Sequence, residues 1–526
     1  MKLDVLIVGL ALAYVIWLYF RNNPLKHSSP FMMRRFINWF PLGMSYAFLY
    51  MARYNLNVAK NAMGVLITKE DFGIIFGVGT TIYGLSFLIN GPLVDKIGGK
   101  KGIIIAALGS CLANIMMGLL TYLTLKGVYT GSLVIAFSTL YALNMFFQSY
   151  GAVSIIKVKA YWFHVRERGI FGAIFGTLIS FGVYFAFDWG QAIVDATKVN
   201  LTTEPTALQS FLRTIFAIDT QTTDATWLVF FIPSVFLIFW ALIDMWLIKD
   251  TPSQANFADF DTHDASSGEM DRDFTMQELL KRIFTNPILM TIAVIEFTSG
   301  VIRNGILQWY FIFAHEVPQV GAEFFLKNWG LILCMTGIGG GFLAGWVSDH
   351  FFSSRRGPPA ALLNLAMLFI TLVMSFILFT NPTGVGFACT LISLCVIGVH
   401  SLMSGTASAD FGGRKATATA AGIVDGCVYL GSGIQSVSLG YLTTKSWGYW
   451  PLFLIPFTAL GLLFSWRMWA ALPESTKRYL LHIEKMKLSV AHTDGSSHEI
   501  AIEKVNVEEF DTEKDVPASG LTFPKK

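Results

Sequence analysis

Two arginines within long apolar segments are the residues best placed to do chemistry. Arg53 lies in Tyr46-Ala-Phe-Leu-Tyr50-Met-Ala-Arg53-Tyr-Asn55, and Arg303 in Glu296-Phe-Thr-Ser-Gly-Val-Ile-Arg303-Asn-Gly305. An arginine at the centre of a membrane helix costs about 2.5–3.5 kcal/mol on insertion scales, so such residues face a cavity or a partner. Guanidinium is planar, permanently charged and forked, a shape that suits carboxylate and phosphate. Two such forks converging on one cavity suit a dianion such as a phosphate monoester. Helical spacing puts Tyr46, Tyr50 and Arg53 on one face, and Glu296 and Arg303 on another. The competing structural reading is that each arginine pairs with an internal acid. Glu296 offers that to Arg303, whereas Arg53 has no acid on its own helix and needs a remote partner.

Two more polar residues interrupt apolar runs: His400 in Gly398-Val-His400-Ser, and Asp425 in Gly422-Ile-Val-Asp425-Gly-Cys-Val-Tyr429. An isolated carboxylate in such a run is costly. Asp425 is therefore protonated, paired with Arg53, or facing a cavity. His400 is either a packing residue or a substrate contact. Asp188 and Asp244 sit nearer span ends and read as boundary residues.

The elements that position these residues are membrane helices. Of 526 residues, 54% are hydrophobic and only 14% charged, and the mean hydropathy is +0.55. A water-facing surface for a chain of this length would need far more charge. Leu3–Phe20 is the first apolar run. No small-residue cleavage site follows it, and Arg21, Lys26, Arg34 and Arg35 do, so it reads as an uncleaved anchor with its N-terminus outside. Twelve further spans follow, from 36–57 through 227–248 and 286–313 to 449–472. Basic residues fill alternate loops and the start of the C-terminal tail, which places those loops and the C-terminus in the cytoplasm. The net charge of +3 carries no nucleic-acid signal. The five cysteines fall in apolar segments without metal-ligand spacing and read as small core residues.

The polar stretch 249–285 separates the spans six and six. The resulting organisation is an anchor helix and basic linker (1–30), a six-helix bundle (31–248), a cytoplasmic linker (249–285), a second six-helix bundle (286–474) and a polar tail (475–526). Thr275–Phe284 reads as a short amphipathic helix. The external loop 193–226 holds Asn200-Leu-Thr202, an acceptor pattern for glycosylation in a eukaryotic host.

The two halves repeat each other. Gly91-Pro-Leu-Val-Asp95-Lys96-Ile-Gly-Gly-Lys-Lys101 follows the second core span, and Gly345-Trp-Val-Ser-Asp349-His350, with Arg355 and Arg356 beyond, follows the eighth. Each pairs a glycine for close packing with an aspartate and downstream bases that can hold one face shut and release it. Gly91, Asp95, Lys96, Asp349 and Arg356 are the candidate gate residues. Each arginine stands in the first helix of its half, a similar stretch of chain before its loop aspartate, so the pair is pseudo-symmetric. The first loop resembles the signature of the major facilitator superfamily. That likeness implies an all-α membrane protein, with two six-helix bundles in pseudo-two-fold relation plus one extra N-terminal transmembrane helix, and a site near mid-membrane between the halves.

At Tyr50-Met-Ala-Arg53-Tyr-Asn55, Glu167-Arg168-Gly169, Arg303-Asn-Gly305-Ile-Leu-Gln-Trp309 and Arg414-Lys415-Ala416 the chain resembles the organophosphate:phosphate antiporters, which include glycerol-3-phosphate and hexose-phosphate exchangers. The resemblance implies that Arg53 and Arg303 ligate phosphate and that Tyr46, Tyr50 and Tyr83 surround it. It breaks in three places. Phe87 stands where the family often has lysine. Phe175–Ser180 lacks the histidine that the glycerol-phosphate exchanger carries in its fifth span. Gly300 replaces a tyrosine. Glu296, His400 and Asp425 are this chain's own polar residues and complete the candidate site.

The expected function is exchange of a phosphorylated metabolite for phosphate by alternating access. Two alternatives are a proton-coupled carrier of a non-phosphate anion and a transporter-like sugar-phosphate sensor. The expected partners are a small anionic substrate and the bilayer, for a monomer in a cell membrane without cofactor or metal. No nucleophile elbow, P-loop or metal cluster supports an enzyme.

Overall fold

The computed structural model describes residues 3–164, 167–197, 226–260, 284–317, 322–352, 355–407 and 417–471, together with residues 210, 211, 214 and 281. The described residues form helices and turns, without strands. The anchor is α1 (Leu3–Arg21). The first half comprises α2 (Ser29–Met63), α3 (Lys69–Ile97), α4 (Gly99–Leu125), α5 (Leu133–Trp162), α6 (Arg168–Tyr184) and α7 (Leu228–Leu247). The second comprises α8 (Pro287–Leu307), α9 (Trp329–Phe351), α10 (Gly357–Ile377), α11 (Pro382–His400), α12 (Thr417–Lys445) and α13 (Tyr449–Arg467). This is the expected anchor followed by six and six.

Local signals set the boundaries. Ser28 caps α2 by accepting the Phe31 amide. Thr68 and Asp71 form a reciprocal capping box at the start of α3. Gly64 and Gly98 end α2 and α3 with φ of +57° and +90°, conformations that favour glycine. Wide π turns extend α6 through Phe185–Trp189 and α11 through Ser401–Ala407.

Among the described residues, eleven helices are long and apolar enough to cross a membrane. The two others are α2 and α12, which carry Arg53 and Asp425. Their polar residues dilute the hydropathy yet are largely buried, because these helices lie inside the bundle where neighbours shield them from lipid.

The two halves meet most closely along α3 and α12. A Cβ at Gly73 would lie 2.4 Å from the Ser436 carbonyl oxygen, and one at Gly84 would lie 2.9 Å from that of Gly426. Backbones approach this closely only where side chains are absent. At the end of the bundle remote from the 249–260 linker, further contacts join the halves. The Glu316 carboxylate binds Lys60 and Lys69 at 2.8 Å each. Asp188, in the π turn after α6, accepts the Gly330 and Leu331 amides at 2.8 and 2.9 Å. It thereby caps α9 of the opposite half. Asp188 is thus a cross-half latch rather than a boundary residue. Asp244 is also internal: it is buried and accepts the Ser45 hydroxyl at 2.5 Å.

Around the expected gate, Gly91 has open space where a Cβ would project and Lys96 is exposed. Arg356 Nη1 donates to Ser348 Oγ at 3.1 Å. The side chains of Asp95 and Asp349 lie outside the described residues, as do Asn200–Thr202, nearly all of Thr275–Phe284, and the tail from 472.

Candidate binding site between the two halves

Arg53 is 1% exposed. Its Nε donates to Gln148 Oε1 at 2.8 Å and its Nη1 to Tyr429 Oη at 3.0 Å. The guanidinium carbon lies 4.5 Å from the Tyr50 ring, 4.4 Å from Tyr83 and 5.6 Å from Tyr429. None of these groups carries a negative charge. Aromatic faces stabilise a cation without cancelling it, so the charge of Arg53 remains available. Its Nη2 is buried without a hydrogen-bond partner among the described residues. Buried guanidinium hydrogens are costly to leave unpaired, and here they mark a place for an acceptor.

The cage is held in place from behind. Gln148 Nε2 donates to Ser110 Oγ and Asn144 Oδ1, each at 3.2 Å, which leaves the amide oxygen facing Arg53. Tyr141 Oη donates to the Arg53 carbonyl at 3.1 Å. Tyr141, Asn144 and Gln148 recur at helical spacing on α5, so one polar face of that helix supports the arginine. Tyr46 packs edge-on against Tyr50 at 5.3 Å. The Tyr83 hydroxyl is buried and unpartnered among the described residues.

Arg303 comes from α8 in the other half. Tyr50 stands near both: its ring covers Arg53, and it lies within electrostatic reach of Arg303. Tyr54 Oη reaches Asn304 Oδ1 at 3.4 Å across the same interface. Arg303 Nε is also unpartnered among the described residues. Glu296 is fully buried, and its Oε2 receives His400 Nδ1 at 2.7 Å. Asp425 Oδ1 accepts the Ser404 hydroxyl. Glu296, His400, Asp425 and Arg303 all lie within electrostatic reach of one another.

The eight residues singled out from sequence fall into two groups, one around Arg53 and one around Glu296, with Arg303 within electrostatic reach of both. Tyr46, Tyr50, Arg53 and Tyr83 come from the first half, and Glu296, Arg303, His400 and Asp425 from the second. Glu296 binds His400 rather than neutralising Arg303 alone, and Asp425 binds Ser404 rather than Arg53. Sequence reasoning missed Gln148 and Tyr429. Both carried a signal: Gln148 shares its helix face with Asn144 and Tyr141, and Tyr429 follows Asp425 by one turn.

Gly300 now has a physical reason. A Cβ there would lie 1.9 Å from the Val428 carbonyl oxygen, so α8 and α12 touch through their backbones. That contact places the next residue, Tyr429, against Arg53. Phe87 closes the same corner, its ring 4.9 Å from Tyr83 and 6.4 Å from Tyr429.

The sequence profile described as "Major Facilitator Superfamily" matches residues 42–436. The chain belongs to the major facilitator superfamily. It is a multi-pass membrane transporter and not an enzyme. Among curated relatives, it is 24% identical over 453 residues to the glycerol-3-phosphate transporter of Bacillus subtilis, covering 81% of this chain and 90% of that one. It is likewise 24% identical over 460 residues to the "Probable hexose phosphate transport protein" of Chlamydia pneumoniae, covering 84% and 92%. Among solved structures, it resembles a bacterial homologue of the human lysosomal transporter Spinster in an inward-facing, unoccupied conformation. The TM-score is 0.64 at 14% identity, over 84% of this chain and 98% of that one. This last likeness concerns the fold alone.

Proposed function

We propose that this transporter exchanges a phosphorylated metabolite for inorganic phosphate, with Arg53 and Arg303 as the phosphate ligands. The observation that carries the reading is Arg53: a fully buried guanidinium with neutral partners and an Nη2 that is unpartnered among the described residues. A phosphate oxygen supplies the acceptor that this nitrogen lacks. Arg303, on the first helix of the other half, supplies the second positive charge for a dianion. The curated relatives named for glycerol-3-phosphate and hexose phosphate support the same chemistry.

Exchange follows from electrostatics. In the empty site the two arginines repel, and Glu296 offsets Arg303 only in part because it shares its charge with His400. A bound dianion neutralises both arginines and draws the halves together, so the loaded carrier reorients more readily than the empty one. With the basic loops in the cytoplasm, the end closed by Lys60, Lys69, Glu316 and Asp188 faces outside.

Reconstituted vesicles loaded with inorganic phosphate test the reading. Labelled glycerol 3-phosphate or glucose 6-phosphate should enter only when phosphate is inside, and Arg53→Lys should abolish that uptake, since an ammonium cannot reproduce the fork. Folded, reconstituted protein that shows no phosphate-driven uptake of either ester would sink it. The replaced positions Phe87 and Gly300 favour a second reading, a non-phosphate organic anion. Failure of inorganic phosphate to stabilise the protein against heat would select that one.

A further inference from the structure

With both of its carboxylates ionised, the site holds more negative charge than phosphate binding needs. Beside the two arginines lie two carboxylates, Glu296 and Asp425, and one histidine. Let a phosphate dianion neutralise both arginines, and let a protonated His400 neutralise Glu296. One negative charge, on Asp425, is still uncovered. If His400 is neutral, two are uncovered. A buried carboxylate without a countercharge is expensive.

The cluster also has an open valence. Glu296 Oε1 is fully buried and accepts no hydrogen bond from any described residue, although Oε2 of the same carboxylate is bound to His400. Ser299, three residues further along α8, likewise has a buried hydroxyl without a partner there. Open donors at the arginines therefore stand at one end of the assembly, and an open acceptor at the other. Glu296 precedes Arg303 by seven residues on α8, about 10 Å along the axis towards the linker end. Asp425 precedes Tyr429 by one turn on α12, about 6 Å in the same direction. Ser404, which binds Asp425, lies in the π turn that follows His400. Such turns recur at functional sites because they redirect side chains.

We infer that the Glu296–His400–Asp425 cluster is a cation subsite, and that the substrate is a zwitterionic phosphoester carrying an ammonium group at the end away from its phosphate, of the size of an amino-sugar phosphate. The inference rests on the proposed phosphate role of the arginines and adds the chemistry of the other end. The ammonium places a positive charge between Asp425 and Glu296 and donates to Glu296 Oε1. The separation along α8 suits a hexosamine skeleton better than the shorter glycerol backbone.

Glucosamine 6-phosphate and glucose 6-phosphate make the test, because they differ at one position, ammonium against hydroxyl. Each competes for binding of labelled inorganic phosphate to the purified full-length protein in detergent. The amino sugar ester should compete at least about tenfold more strongly than glucose 6-phosphate, as expected for a charge pair in a desolvated site. N-acetylglucosamine 6-phosphate, which has lost the charge, should fall to the glucose 6-phosphate level or below. In Asp425→Asn and Glu296→Gln the ratio between amino sugar and sugar ester should collapse towards one. Wild-type protein that binds inorganic phosphate but competes equally with both esters overturns the cation subsite and leaves the phosphate reading standing. Wild-type protein that binds no inorganic phosphate overturns the phosphate reading, and the subsite with it. A preference that survives both substitutions assigns the ammonium elsewhere and also overturns the proposal.

Discussion

Of the three arginines on helix α2, two are equally buried and differently used. Arg35 and Arg53 are each 1% exposed. Arg35 grips Glu167 with a complete fork, Nη1 to Oε2 and Nη2 to Oε1 at 2.8 Å each, and its Nε donates to Tyr19 Oη at 3.0 Å. His27 stands 3.6 Å from the same carboxylate. The charge of Arg35 is spent within the protein, tying the anchor helix, α2 and the turn before α6 together. Arg53 has aromatic faces like those around Arg35, but a glutamine and a phenol where Arg35 has a carboxylate. The comparison separates an arginine whose charge is cancelled within the protein from one whose charge is not. Burial is common to both, and the presence or absence of an internal acid decides the role.

The comparison can be broken at either arginine. The largest effect is expected for Arg53→Ala, which removes the uncompensated charge and at least two hydrogen bonds to a charged group, each contributing about 1.5–3 kcal/mol. Phosphate-driven uptake should fall at least about a hundredfold while melting in detergent changes little by comparison. Full uptake would place the anion elsewhere.

The mirror experiment is Glu167→Gln, which leaves Arg35 buried and uncompensated. Denaturation should show a loss of about 3 kcal/mol, with transport per folded molecule retained. A stable variant that fails to transport would reverse the two roles.

Tyr429→Phe keeps the ring over Arg53 and deletes the hydroxyl that positions Nη1. Phosphate affinity should weaken about tenfold by calorimetry. An unchanged affinity would show that the rings alone hold the guanidinium.

The smallest effect is a pH dependence at the structural arginine. Burial alone would raise the Glu167 carboxyl, but the hydrogen bonds and charge of Arg35 overcome it and hold the group below its ordinary value of 4.5. A carboxylate depressed in the folded state contributes stability in full above its unfolded value and loses it as pH falls through the folded value. Wild-type protein should therefore lose stability below pH 4.5 by a component that Glu167→Gln lacks. Parallel melting profiles for the two proteins would remove the pair from the acid response.

Much of this was open to a reader of the sequence. Spans, anchor, the six-and-six division and both membrane arginines follow from local composition, because the cost of placing charge in hydrocarbon attaches to each residue separately. The repeated Gly-x-x-x-Asp turns and the helical spacing of Tyr46, Tyr50 and Arg53 are likewise local. The partners were not open in that way. Glu167 lies 132 residues from Arg35, Gln148 lies 95 from Arg53, and Tyr429 lies 376 from it. The sequence places Arg35 at the flank of its span and Arg53 within it, but with no acid between them on that helix it does not show which of the two has its charge cancelled. Asp188 looked like a span-end residue because its role is to cap a helix in the other half.

The sequence by itself determined that this is a two-half helical membrane transporter with two arginines in its interior, since hydropathy and buried charge are properties of short segments. Only the tertiary structure decided which charges cancel. Cancellation needs atoms within hydrogen-bonding reach, and the close backbone contact of α8 with α12 at Gly300 brings Tyr429 to Arg53, while Glu296 takes up His400. What is left without a partner among the described residues, a guanidinium nitrogen at Arg53 and a carboxylate oxygen at Glu296, is what the proposed substrate is drawn to meet.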